Sequence, residues 1–244
     1  MQTSWWVALA LVLLSQPAFS AAPKPPDLSG FWMLNSAAKP DADMMKQVKA
    51  NTVWVNDTGA LELPQGNFGG LKLTAAALAA AKKWDPREEL KMENACRAPS
   101  IVYALQGPFP IEIFQATELI VMKLEYYDLV RIIFLDGRKP EADYPHSKVG
   151  FSVGRWEGDT LVVETTHLEA ATITNNGLSH SNDVRVTERF KLSADGQSLL
   201  ATQAFEDPAV LDNAGVRFIS WKKQAGQHVF PYDCDPNFAG NYAR

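Results

Sequence analysis

The chain has 244 residues, of which 46% are hydrophobic and 21% charged, and its net charge is -5. That is enough apolar material for one sizeable core and too much for a disordered chain. A mildly acidic chain without a long Lys/Arg run suits neither nucleic acid nor an anionic membrane surface, so neither is an expected partner.

The first element is a leader. "WWVALALVLL" (5–14) is apolar but too short to cross a bilayer as a helix. "SQPAFSAA" follows and puts Ala18 and Ser20 just ahead of a cut before Ala21, the pattern of a secretory signal peptide. Residues 1–20 carry no Lys or Arg, so the α-amino group is their only positive charge. The expectation is an exported chain, periplasmic or secreted, with no stable membrane insertion after cleavage and no Cys near the cut to carry a lipid anchor. "APKPP" (22–26) reads as a stiff, extended lead-in. Residues 21–244 then read as a single β-barrel domain whose helical N-terminal extension covers about 35–95.

"DLSGFWML" (27–34) opens that domain as a strand, with Gly30 letting the backbone bend and Trp32 plugging the core. A short helix is expected within 41–50, and a hairpin over 51–63 around Asp57-Thr58-Gly59. "LTAAALAAAKKW" (73–84) is rich in helix formers, follows Thr74 as N-cap, and stops near Asp85-Pro86. The two cysteines are Cys96 and Cys234. In an oxidising compartment they read as a disulfide tying mid-chain to the C-terminal end, a loop closure worth about 5 kcal/mol in the chain-entropy account. The alternative is two buried free thiols.

From residue 110 onward short β-rich runs follow one another: "IEIFQ", "ELIVMKLE", "YDLVRIIFLD", "VGFSVGRW", "TLVVETTH", "DVRVTERFKL", "SLLATQAFED", "VRFISWKK" and "HVFPYD". Asp136-Gly137, Glu157-Gly158-Asp159, Asn176-Gly177 and Asp195-Gly196 punctuate them as turns. The fold expected is mostly β: an antiparallel meander closing into a lipocalin-like barrel, with one or two short N-terminal helices.

Alternation along the strands singles out the polar residues. In "DVRVTERFKL" Glu188 falls on the face of Val184, Val186, Phe190 and Leu192, and a carboxylate in an apolar stripe must be paired. In "YDLVRIIFL" Arg131 shares a face with Leu129, Ile133 and Leu135, and the opposite face is also apolar, which suggests cover on both sides. In "TLVVETTH" Glu164 and His167 point to opposite sides, which weakens a metal reading of that pair. His180 sits on a loop leading into the Glu188 strand. The candidate catalytic set is therefore His180, Glu188, Arg131, Glu164 and Asp183, with His180 or Glu188 moving a proton and Arg131 holding an oxyanion. Tyr103, Tyr127, Phe190 and Trp156 are candidates to contact the ligand. The competing reading is a buried Arg131–Glu188 pair that fixes strand register, with His180 as a surface histidine in a turn. The four histidines are scattered, so no metal site is expected, and no organic cofactor, nucleophile elbow, H-E-x-x-H or P-loop is expected either.

Gly30-Phe31-Trp32, Cys96, "PFPIEI" (108–113), "LDGRKP" (135–140), "SVGRWEGDTLVVET" (152–165), His180-Ser181 and "TERF" (187–190) together resemble a large family of exported bacterial proteins with a lipocalin-like barrel. The likeness is strongest over roughly 90–192. In that family the histidine turn reads H-S-D or H-S-E; here it is His180-Ser181-Asn182-Asp183, with the acid one position later. The resemblance implies a barrel that takes a small, largely apolar molecule of terpenoid or aromatic type. Acting on it by isomerisation, hydration or elimination is one implied role, and holding it as a non-catalytic carrier is the other.

Overall fold

The computed structural model describes residues 24–40, 42–56 and 63–237. The barrel begins with β1 (Gly30–Leu34), followed by α1 (Ala42–Lys46) and β2 (Thr52–Trp54). Four short helices come next: α2 (Ala75–Ala81), α3 (Pro86–Glu89), α4 (Met92–Ala95) and α5 (Ile101–Ala104). Thr74 caps α2 by accepting from the Ala77 N–H, and Asp85 caps α3 ahead of Pro86, so one short motif ends a helix and starts another. The remaining strands are β3 (Ile111–Gln115), β4 (Leu119–Leu124), β5 (Leu129–Phe134), β6 (Phe151–Glu157), β7 (Thr160–Thr166), β8 (Ala171–Thr174), β9 (Leu178–His180), β10 (Arg185–Leu192), β11 (Ser198–Glu206) and β12 (Ala214–Gln224).

Nine strands close on themselves in the order β1-β3-β4-β5-β6-β7-β10-β11-β12, with β12 returning to β1. An all-antiparallel ring needs an even number of strands, because direction reverses at every step. A nine-stranded ring therefore holds at least one parallel pair, and here it is β5–β6. The Asp136-Gly137 turn does not send the chain straight back; residues 135–150 cross to the far end of the barrel first. β2 lies outside the ring and pairs in parallel with β12. The small β8–β9 hairpin also lies outside the ring.

Trp32 is fully buried and its Nε1–H donates to the Leu28 carbonyl at 3.0 Å. With Phe190, Trp221 and the aliphatic inner face of β3 and β4 it fills one half of the barrel. α5 closes the other end: all four of its residues are buried, and Ile101 and Val102 pack with Phe205, Val186 and Leu178. Cys96 and Cys234 form a disulfide, with Cα atoms 5.8 Å apart.

Two expectations change, and two short strands are new. "HVFPYD" is not a strand; it is part of an irregular strap, because its Pro and exposed residues offer no ladder and no apolar face. The outer face of β5 is not covered: Val130 and Ile132 are exposed. β8 and β9 escaped notice because each is only a few residues long. The turn expected at Asp57-Thr58-Gly59 and the leader at 1–20 lie outside the described residues.

Candidate functional site

The barrel interior holds a polar belt on the side of α5. Arg131 on β5 donates from Nη2 to Glu188 Oε2 on β10 at 2.5 Å, and both side chains are sealed from water. Arg131 also donates to Ser152 Oγ at 2.9 Å and to Thr165 Oγ1 at 2.6 Å. The other carboxylate oxygen, Glu188 Oε1, accepts from Gln203 Nε2 at 3.1 Å, and the same amide donates to the Ile101 carbonyl. Those two acceptors fix the orientation of the Gln203 amide. Arg217, also buried, donates to the Val102 carbonyl at 2.9 Å and to the Ile173 carbonyl. The belt thus bonds the strands to the α5 plug. Arg131 Nη1 and Gln203 Oε1 are buried without a hydrogen-bond partner among the described residues.

His180 is neither on a loop nor at the surface as expected: it ends β9, where it pairs with Ala171 of β8, and is buried. Its Nε2 faces Ser100 Oγ at 2.7 Å and its Nδ1 faces the Ser181 carbonyl at 2.8 Å. A carbonyl only accepts, so Nδ1 carries the proton and Nε2 accepts from the Ser100 hydroxyl. Burial pushes the His180 pKa below its ordinary value, partly opposed by the Ser181 bond and the Asp207 charge. Asp207 holds the next residue, accepting from Ser181 N at 2.6 Å and Ser181 Oγ at 3.0 Å. This is a serine–histidine hydrogen bond of catalytic length, but Ser100 is fully buried and also caps α5 by accepting from Val102 N.

The other expected residues scatter. Glu164 is on the outer face of β7, paired with Arg155 at 2.7 Å. Asp183 is exposed, and its backbone N–H donates to Ser181 Oγ. Phe190 is inside the barrel core and Trp156 packs against it. Tyr103 and Tyr127 instead line a cleft outside the α5 end.

That cleft has a volume of about 810 Å³, within the range that suits a drug-sized ligand. Its aromatic wall is one cluster. Phe109 stacks on Tyr126 at 4.8 Å, Tyr232 stands edge-on to Phe109 at 5.3 Å, and Tyr127 meets Tyr232 at 4.6 Å. Tyr127 and Asp128 both adopt left-handed backbone conformations, with φ of 56° and 54°. For a Tyr this costs on the order of 1–3 kcal/mol and persists only where surrounding contacts over-determine it. Here Tyr127 Oη donates to the Ala95 carbonyl at 3.2 Å, and Asp128 Oδ1 accepts from Tyr232 N at 3.0 Å. Burial pushes the Tyr127 phenol up to about 12, so it stays protonated. Asn94, Arg97, Lys148, Thr172 and Ser179 supply polar groups around the cleft. Lys148 pairs with Glu169 at 3.1 Å, whereas Arg97 is exposed and makes no ion pair among the described residues.

Sequence reasoning missed Gln203, although alternation in "SLLATQAFED" places it with Ala201 and Phe205 on the inner face. It also missed Ser100 and Asp207, whose partners are distant in sequence. The spelling G-x-S-x-G does occur at Gly150-Phe151-Ser152-Val153-Gly154, but Ser152 lies within β6, not on a strand-to-helix turn. Gly150 is needed because an added Cβ would stand 2.4 Å from the Thr166 carbonyl oxygen, at a φ of 62°. No family model matches this chain, and no curated protein matches it at a significant level.

Proposed function

We propose that this chain is an exported barrel protein that binds a small, largely apolar organic molecule, of terpenoid or aromatic type, in the cleft at the disulfide-tied end. The observation that supports it is the wall of the cleft. An aromatic cluster stands there on a strained backbone step at Tyr127-Asp128. Strain held in place by side-chain and strap contacts is the mark of a pre-shaped surface. The barrel interior offers less: at its Trp32 end it is packed with side chains, and both oxygens of Glu188 are occupied. The test is native mass spectrometry of the mature protein beside Tyr127→Ala. A small molecule that travels with the wild type and is lost from the variant supports the cleft. A molecule held equally by both argues against it.

A second reading is cofactor-independent acid/base chemistry inside the barrel. It draws on Arg131 Nη1 and Gln203 Oε1, a donor and an acceptor that no described protein group uses. Under that reading Glu188→Gln accumulates a bound molecule that the wild type turns over. Equal occupancy in both removes this reading and leaves the carrier.

A further inference from the structure

One side of the cleft is completed by the C-terminal segment, which contributes Tyr232. After β12 the chain leaves the sheet and returns along the outside of β3 towards the α5 end. From Gly226 to Asp235 it forms no helix or strand, and residues 225–235 are all exposed or half-buried. Such a strap gains little from apolar burial. Apart from the Tyr232 ring in the aromatic cluster, it is held by point contacts. His228 Nδ1 meets Glu112 Oε1 at 2.6 Å, the Phe230 N–H donates to Glu125 Oε2 at 3.0 Å, and the Tyr232 N–H donates to Asp128 Oδ1 at 3.0 Å. Its one covalent tether is Cys234 to Cys96. Cys96 lies next to the cleft residues Ala95 and Arg97, and Cys234 is exposed.

We propose that the Cys96–Cys234 disulfide is a redox latch on the cleft, so that the ligand site is complete only in the oxidised chain; this rests on the reading of the cleft as the binding site. An accessible dithiol reductant supplies the chemistry. Its thiolate attacks one sulfur, the Sγ–Sγ bond breaks, and the second thiolate resolves the mixed disulfide. Two electrons and two protons end on Cys96 and Cys234 as thiols, and the reductant leaves as its own disulfide. What remains on the strap is two solvent-facing hydrogen bonds at Phe230 and Tyr232, each weak in water, the half-buried His228–Glu112 contact, and the Tyr232 ring against its neighbours. Tyr232 then leaves Tyr127 and Phe109, and Asp128 loses its bond to the Tyr232 N–H. The strained step at Tyr127-Asp128 loses a contact that holds it, and the aromatic wall opens.

The test uses the full mature protein, folded and oxidised, with a small dithiol added in place. Hydrogen exchange is read at the Phe230 and Tyr232 amides, with the Phe190 amide as a barrel control. Binding is read with the aromatic probe anilinonaphthalene sulfonate, and the oxidised Tyr127→Ala variant establishes that the probe occupies the cleft. Reduction is expected to speed exchange at Phe230 and Tyr232 by roughly tenfold or more while Phe190 stays protected, and to weaken probe binding by a similar factor. The Cys96→Ser/Cys234→Ser double variant is expected to match the reduced protein. Strap amides that stay protected after reduction overturn the latch, whatever the probe does. A freed strap with unchanged probe affinity overturns the assignment of Tyr232 to the ligand site and, with it, the latch.

Discussion

Arg131 and Glu188 meet at 2.5 Å although they sit on strands that are not neighbours. β6 and β7 lie between β5 and β10, and each contributes a hydroxyl to the gap: Ser152 and Thr165, paired in register with each other and 2.9 Å apart. Gln203 extends the chain of bonds to β11. One guanidinium and one carboxylate thus cross the interior and connect five consecutive strands.

Removing one partner from this pair leaves a charge in the barrel. Arg131→Met or Glu188→Leu alone is expected to cost about 3–5 kcal/mol, while the double variant costs well below the sum. Urea unfolding of the four proteins checks this. Additive losses would mean that the two residues act separately.

The second prediction concerns acid. His180 has a depressed pKa because it is buried, against an ordinary value of 6.5. As pH falls through that value the unfolded chain takes up a proton that the folded chain refuses. The unfolded state then binds more protons, so stability declines on acidification, by up to about 1.4 kcal/mol per pH unit, and is constant above. The decline ends once pH falls below the folded value. His180→Leu is expected to be less stable at neutral pH, because Ser100 loses its acceptor, but to lack this part of the slope. Urea midpoints from about pH 5 to about pH 8 for both proteins decide it. Parallel curves would remove His180 as the cause.

Alternation made the inner face of β10 legible residue by residue, including the misplaced carboxylate of Glu188, and it put Arg131 on the inner face of β5. What alternation lacks is neighbour order. Nothing local in "LDGRKP" says that the next strand runs parallel, so the bridge from Arg131 through Ser152 and Thr165 was hidden. The cleft was less legible still. Tyr127 read as one more strand residue, and its strained φ depends on contacts from Ala95 and the strap, distant in sequence. Glu164 stood out because its hairpin is dense in turn signals, yet its partner, Arg155, is a routine cross-strand neighbour.

Binding should separate the cleft from the hairpin. Tyr127→Ala is expected to weaken a cleft ligand by roughly threefold to tenfold, since an aromatic contact is worth about 0.5–1.5 kcal/mol. Glu164→Gln is exposed and outside the cleft, so affinity should be unchanged and stability within about 0.5 kcal/mol. Titration of the co-purified molecule back into both variants measures this. A loss confined to Glu164→Gln would move the site to the outer face of β7.

Ser152 gives the last prediction, because its G-x-S-x-G spelling invites a nucleophile reading. A nucleophile elbow exposes its serine at a sharp turn, and an activating base stands beside it. Ser152 is fully buried near the start of β6, it accepts from Arg131 Nε, and its other partner is a threonine hydroxyl. A guanidinium donor at the oxygen withdraws electron density and does not remove a proton. A fluorophosphonate probe is therefore expected to leave Ser152 unlabelled in the folded protein. Ser152→Ala is expected to cost about 1–3 kcal/mol by leaving a buried N–H without an acceptor, with no change in ligand affinity at the cleft. Mass-spectrometric detection of the probe on Ser152 would overturn this, and would make the barrel interior, not the cleft, the seat of chemistry.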